Sequence, residues 1–458
     1  MKAQPTAGLL AWVLLVLTSL WGTSERNFVA SVPIHGRPTV RQASVWARGV
    51  AKNAKTVLLE RRTSKLARLT LLGGLIMPGI GIGLPGTPRR LLLVVSLLFF
   101  ALVKGIRTRR PYVRPPLNGQ YRQMGLHSFT DATAREFLGF DSTALLQRAL
   151  NAWHVPAVIR VGDNANDSKN FNMPGVVVML VVLNRLKVDS KLTTLEAFWG
   201  MDYTVISRIV KAGMKWFVAT HGHRLVDTTI FLQHFPRYNQ AIINKHNLRF
   251  AHIHAQHQAP PELADTCAFY DRTNVPICRP GPDWFAQAQV FNHHAWDHVL
   301  GASAAVAPDG LFIHFYTGVV SGRHSDQHFL NMSGLDQHLT NIQLGQQRQY
   351  HFYADKGYGN FMINIFSAYH GLNVTLQQTI WNYMMSPLRV TVEWGFGKLK
   401  ATFPALARRV MMKSQLSPTN LYLKASALLC NTHTMLHGSN VGRYFGLDAQ
   451  VTVEQYFA

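Results

Sequence analysis

Two apolar runs far apart in the chain, Cys267–Tyr270 and Tyr350–Ala354, each deliver an aspartate at their end, Asp271 and Asp355. Short apolar runs rich in aromatic residues and bounded by turn residues read as buried strands. A third acid, Glu393, lies in Arg389-Val-Thr-Val-Glu393-Trp-Gly-Phe-Gly-Lys-Leu-Lys400. At about 3.6 residues per helical turn, Arg389, Glu393, Phe396 and Lys400 fall along one stripe, with the carboxylate between two cations. Strands that end in aspartates, followed by a helix that bears a glutamate, describe an α/β domain whose acids gather at one edge of a sheet. Such a set suits a divalent metal, and its flanking cations suit phosphate.

Charge narrows the choice of partner. The chain of 458 residues carries 46 Lys and Arg against 23 acidic residues, a net charge of +23. That surplus points to a polyanion, either nucleic acid or an anionic membrane surface. It is uneven: residues 1–130 hold 19 basic residues and only Glu25 and Glu60 as acids. The basic arm and the acidic trio are therefore different parts of the molecule. Three cysteines, Cys267, Cys278 and Cys430, are too few and odd in number for a disulfide framework, and none has a C-x2-C partner for zinc. Their usage points to a reducing compartment.

The N-terminus argues the other way. Lys2, the apolar run Leu9–Trp21 and the small residues that follow have the order of a secretory signal. A second apolar run, Leu91–Val103, is flanked by basic residues but falls short of the roughly 20 residues that a spanning helix needs. Residues 1–130 thus read as a basic extension, either membrane-associated or foreign to an otherwise complete protein.

Organisation begins after about residue 135. Thr133–Trp153 has helical spacing, Asp163–Pro174 reads as a loop, and Val176–Leu186, Thr193–Trp199 and Tyr203–Val218 read as helices, with a turn at Gly200 and Asp202 as a cap. Helix, glycine turn and helix over 135–225 outline a helix-turn-helix-like unit, and Arg208, Lys211 and Lys215 on its last helix suit DNA. Plain packing of three helices on one another fits the same pattern. Beyond it, Val299–Ala307, Pro308-Asp-Gly310 and Leu311–Val320 form a hairpin signal, Gln327–Leu330 is helical, and Leu421–Leu436 is a closing helix. Residues 245–445 make the α/β domain and 446–458 a tail.

These pieces, taken in order, resemble a transposase of the PIF/Harbinger group within the DDE superfamily. They are Ala268-Phe-Tyr-Asp271-x-Thr with Pro276-Ile-Cys-Arg-Pro280, His294-x3-His298 before Pro308-Asp-Gly310, Gly322-x3-Asp326, Ala354-Asp355-Lys-Gly-Tyr358, and Arg389-x3-Glu393-Trp-Gly-Phe-Gly-x-Leu-Lys400. The resemblance runs from about Val178 to Phe445 and implies an RNase H-like nuclease fold. It also implies a nuclear protein that acts on DNA, works as a homo-oligomer and uses a Myb-like DNA-binding partner.

Phosphodiester cleavage or transfer needs an activated oxygen nucleophile, a stabilised leaving oxygen and charge neutralisation at phosphorus, which two divalent ions roughly 3.5–4 Å apart supply together. Oxygen ligands select Mg²⁺ or Mn²⁺. The resemblance then makes Asp271 the bridging ligand and gives one ion each to Asp355 and Glu393, with Arg389 and Lys400 on the scissile strand. Asp326 is a further near-site acid and the rival to Asp355 as second ligand. Four positions depart from the family pattern: Arg272 in place of a glycine, Ser325 of a histidine, Ser386 of a tyrosine and Gly301 of a lysine. These departures favour the alternative reading of a catalytically silent DNA- or protein-binding module. The histidine clusters, including His252-x-His254-x2-His257 and His221-Gly-His223, lack supporting cysteines and are not read as metal sites, and Trp394 and Phe396 are read as core.

Overall fold

The computed structural model describes residues 124–458 apart from 163–169, 189–190, 255–260, 282–283, 294, 318–323, 360–361, 372, 410–411 and 414–416. The secretory-like run and the second apolar run lie outside the described residues. Among the described residues no helix is long and apolar enough to cross a membrane.

Helices α1 (Asp131–Phe137) and α2 (Thr143–Ala152) open the described chain. The stretch Thr133–Trp153, whose spacing is helical, thus holds two helices. Gly139 takes a left-handed φ of 83° between them, and the Ser142 side chain starts the second helix by accepting from the Leu145 amide. Strands β1 (Val158–Val161) and β2 (Phe171–Pro174) pair antiparallel, so the end of the segment expected as a loop is extended.

The next helices are α3 (Gly175–Lys187), α4 (Leu192–Trp199) and α5 (Tyr203–His221). Gly200 ends α4 in the left-handed region, and Asp202 caps α5 by accepting from the Thr204 amide at 2.6 Å. Helix α3 is buried on every side from Val177 to Leu186, as its almost uniformly apolar sequence demands. Within it Asn184 is satisfied twice: it accepts from Trp199 Nε1 at 2.9 Å and donates to the Phe137 carbonyl at 3.0 Å.

Helix α6 (Phe235–His254) leads into the sheet, built from β3 (Thr266–Pro276), β4 (Phe291–Asn292) after the short α7 (Trp284–Val290), β5 (Asp297–Val306) and β6 (Phe312–Thr317). Helices α8 (Asp326–Ser333) and α9 (Leu335–Ile342) precede β7 (His351–Ala354) and β8 (Ile365–Ser367). Strand order is β6-β5-β3-β7-β8, with β4 on the β5 edge beside β6. The first three strands pair antiparallel with one another, and β7 and β8 lie parallel to β3. A mixed sheet of this order, flanked by helices, is consistent with an RNase H-like fold.

Helices α10 (Leu376–Thr402), α11 (Thr419–His437), α12 (Asn440–Phe445) and α13 (Val453–Phe457) close the chain. The helices of the 135–225 region and the sheet share one apolar core, which runs from Phe129 to Phe457. Trp153 at the end of α2 donates to Thr432 Oγ1 on α11 at 3.2 Å. The tail expected at 446–458 is part of that core: Tyr456 and Phe457 are buried, and Arg148 on α2 pairs with Glu454 at 2.6 Å. Its aromatic residues need cover, and the groove between α2, α5 and α11 supplies it.

Candidate active site

Pairing on the two sides of β3 has different lengths, and the difference creates the site. With β5 the pairing continues to Pro276↔Val299, whereas with β7 it stops at Tyr270↔Ala354. Asp271 is therefore mid-strand rather than at the strand end expected from the sequence. On the β7 side, however, it is the first residue past the paired region, and Asp355 holds the matching place after β7. Asp355 caps the turn Lys356–Tyr358 by accepting from the Lys356 amide at 2.8 Å. The Tyr270 and Tyr358 rings meet edge to face at 5.3 Å and tie this turn to the central strand.

Helix α10 brings in the third acid. The Thr375 and Gln378 capping box starts it, and Leu388, Val392, Gly395, Phe396 and Leu399 bury one face. Gly395 lets the helix lie close on the sheet, because a Cβ there would sit 3.0 Å from Val306 Cγ2. The remaining stripe borders β3. Arg389 Nη1 contacts Asp271 Oδ2 at 3.1 Å, and Nη2 contacts Glu393 Oε1 at 3.3 Å. Lys400 Nζ donates to Thr273 Oγ1 at 2.9 Å. Asp271 and Thr273 stand two residues apart and so share the α10 face of β3.

Burial dominates the electrostatics. The Asp271 side chain is only 19% exposed, and desolvation pushes its carboxyl up to about 6. The Arg272 amide, which donates to Oδ1 at 2.7 Å, and the Arg389 guanidinium oppose the rise. Asp355 and Asp326 add to it by repulsion. Burial likewise lowers the Lys400 ammonium below its usual range.

Asp326, at the start of α8, is reached from the other face of β3. Tyr270, Arg272 and Asn274 alternate with the Asp271 set, and Arg272 reaches back to α8. Its Nη1 donates to the His324 carbonyl at 2.7 Å and lies 3.3 Å from Asp326 Oδ1, while the guanidinium stacks over Phe329 at 4.8 Å. The structure links Asp271 to Glu393 through Arg389, sets Lys400 on Thr273 along the same face, and places Asp355 level with Asp271 past the end of β7; Asp326 pairs with Arg272 and approaches Gly357 in the turn after Asp355. Thr273 is the threonine of the Asp271-x-Thr motif, and alternation from Asp271 places it on the same face of β3. Trp394, expected in the core, is 39% exposed and meets the Tyr444 ring at 5.3 Å, whereas Phe396 is buried as expected. His298 lies on β5 beside Phe291, and His294 lies outside the described residues.

Residues 270–431, which span this set from β3 to α11, match the DDE superfamily endonuclease family. A domain of the PIF/Harbinger-type DDE transposase family is thus found over this part of the chain. No individual curated protein and no solved structure shows a match. The matched stretch of the DDE domain contains all six acidic and basic site residues.

Among the described residues no three His, Cys, Asp or Glu side chains form a group that could hold a metal ion. Arg389 instead bridges two of the acids. The donor chemistry nevertheless fits a hard divalent cation: the acids are oxygen donors, and Asp271 is a buried carboxylate repelled by two others. Asp271 and Asp355 would hold such a cation, whose charge would offset that repulsion.

Proposed function

We propose that this DDE domain is a metal-dependent DNA endonuclease of transposase type, with Asp271, Asp355 and Glu393 as the ligands of Mg²⁺ or Mn²⁺. The observation that carries the reading is the place of Asp271 and Asp355, side by side where two parallel strands stop pairing, with Glu393 joined to Asp271 through Arg389. Two divalent ions in such a site supply an activated water or 3′-hydroxyl and stabilise the leaving oxygen.

The chain's own residues do the rest. Arg389 holds Asp271 and Glu393 in register, and its guanidinium would meet a phosphate oxygen of the bound strand. Lys400, anchored by Thr273, offers a second charge farther along the strand. The α4–Gly200–α5 segment, with Lys211 and Lys215 on α5 and Arg208 stacked over Phe171, serves as the helix-turn-helix-like contact to DNA. A Myb-like partner, a homo-oligomeric assembly and a nuclear location complete this reading.

The test is nicking of supercoiled plasmid by the full-length protein in Mg²⁺ or Mn²⁺. Cleavage that disappears with chelator and in Glu393→Gln supports it. A second reading, a silent DNA-binding module, is favoured by the guanidinium groups that already pair with Asp271, Glu393 and Asp326. DNA binding with no cleavage in either metal selects that module.

A further inference from the structure

Arg272 is a buried cation, with its side chain only 5% exposed, and among the described residues it pairs with the carboxylate of Asp326. Its Nη1 atom is used twice, on Asp326 and on the His324 carbonyl. Nε and Nη2 are buried without a hydrogen-bond acceptor among the described residues and lie against the Phe329 ring and the Gly301 backbone. The ring face offsets part of that cost through its quadrupole. Space for this arrangement depends on Gly301, where a Cβ would lie 2.9 Å from Arg272 Nε, 3.0 Å from Nη2 and 2.9 Å from Phe329 Cε2. Gly301 pairs with Asn274 across β3 and β5, so it faces the same side as Arg272. Its φ is not left-handed, and the room above it, rather than backbone freedom, is what the glycine provides.

A charged side chain is kept in such a place only with a fixed counter-charge. Asp326 is the carboxylate within reach, at the first turn of α8, where the Ser325 side chain caps the helix by accepting from the His328 amide at 3.2 Å. Asp326 itself remains about half exposed, at 47%. The buried partner therefore depends more on Asp326 than Asp326 does on it.

We propose that Arg272 is the permanent counter-ion of Asp326, with Gly301 as the residue that makes room for it, and that this pairing removes Asp326 from the cation-binding set. The inference about ligands rests on the metal-dependent reading above. The pairing itself does not. Arg272 acts as a positioning residue: it holds the His324–Asp326 segment on the back of the central strand and leaves Asp271, Asp355 and Glu393 to bind the cation.

Two measurements on the full-length protein separate these claims. The first is Mn²⁺ binding followed by electron paramagnetic resonance without DNA. Asp271→Asn weakens binding by roughly tenfold or more, the scale of lost ligand-shell contacts, while Asp326→Asn leaves it unchanged. Weakening by Asp326→Asn comparable to that by Asp271→Asn overturns the assignment. The second is a thermal-stability cycle. Gly301→Ala lowers the melting temperature in the wild-type background and lowers it less in Arg272→Ala, and Arg272→Met and Asp326→Asn are non-additive. Additive losses in both cycles overturn the pairing. Absence of any Mn²⁺ binding by the wild-type protein removes the metal-dependent reading, and the stability cycles alone then decide whether Arg272 and Asp326 are paired.

Discussion

Arg389 Nη1 lies 3.1 Å from Asp271 Oδ2, yet the Asp271 carboxyl still stands at about 6, because burial outweighs the attraction. A carboxyl raised in the folded state stabilises the fold fully below its unfolded value near 3.8, and that contribution is lost as the pH rises through about 6. At neutral pH Asp271 is therefore a stability cost on the order of 3 kcal/mol. Asp271→Asn should raise the melting temperature of the metal-free protein at pH 7 and have no such effect below about pH 4. Thermal melts across that range check it. A uniform loss of stability at every pH would mean that the carboxylate is a net stabiliser. Function retained against stability is the pattern expected at a ligand-binding carboxylate.

Glu393 keeps its place through a residue that has no side chain. Gly395 lies against Val306 and Phe312, so Gly395→Leu forces α10 away from β5. Overpacking of this kind costs roughly 1–3 kcal/mol. Because Arg389, Glu393 and Lys400 ride on the same helix, the variant should lose Mn²⁺ affinity while it stays folded by far-ultraviolet circular dichroism. Metal affinity equal to wild type would show that the helix adapts without moving the acid.

The Pro308–Gly310 turn is fixed from inside the core. Asp309 is 1% exposed, accepts from the Tyr238 hydroxyl at 2.7 Å and from the Leu311 and Gln450 amides at 3.0 and 3.1 Å, and is raised above its usual range by burial. It links α6, the β5–β6 hairpin and the C-terminal segment. Tyr238→Phe should cost about 1–2 kcal/mol, since the amides still satisfy the carboxylate, and Asp309→Ala should cost more because the Tyr238 hydroxyl is then orphaned as well. Urea denaturation of both variants measures the order. Equal costs would mean that the tyrosine contributes little.

Much of the fold is legible in the sequence because its strands and helices are marked by local chemistry. The apolar runs before Asp271 and Asp355, the Pro308-Asp-Gly310 turn, and the Asp202 and Gly200 boundaries of α4 and α5 all fall where local propensity and tertiary packing agree. The failures have a common cause. The continuation of β3 past Asp271 is imposed by β5, which lies about 25 residues on in the chain, and no local pattern records an unequal length of pairing on two sides. Trp394 looks like core because it is large, but its position on α10 turns it toward Tyr444 at the surface. Arg272 is visible as a departure from a family pattern, whereas its coupling to Gly301 and Phe329 needs three dimensions.

The C-terminal segment shows how a short end can carry a large share of the packing. Phe457 meets Trp153, Phe217 and His221, with the last ring centroid at 4.9 Å, and Tyr456 hydrogen-bonds Asn431 at 3.0 Å. Phe457→Ala should destabilise by about 3–5 kcal/mol, the cost of an emptied aromatic site in a packed core. Thermal unfolding checks it, and a shift within error would place these residues outside the cooperative unit.

Lys400 separates a phosphate contact from a packing role. Its ammonium is drawn toward β3 by Thr273, and burial lowers its affinity for the proton. A lysine held this way would gain from a phosphate counter-charge, and on the proposed reading it meets the DNA backbone near Glu393. Each lost phosphate contact makes the slope of log Kobs against log salt less negative by about 0.9. Lys400→Gln should show that change in a salt titration of DNA binding, with affinity reduced to a similar degree for unrelated sequences. Thr273→Val leaves the charge and removes its anchor, and it should weaken binding with the slope kept. If Lys400→Gln weakens binding without changing the slope, the ammonium supports the strand and does not touch DNA.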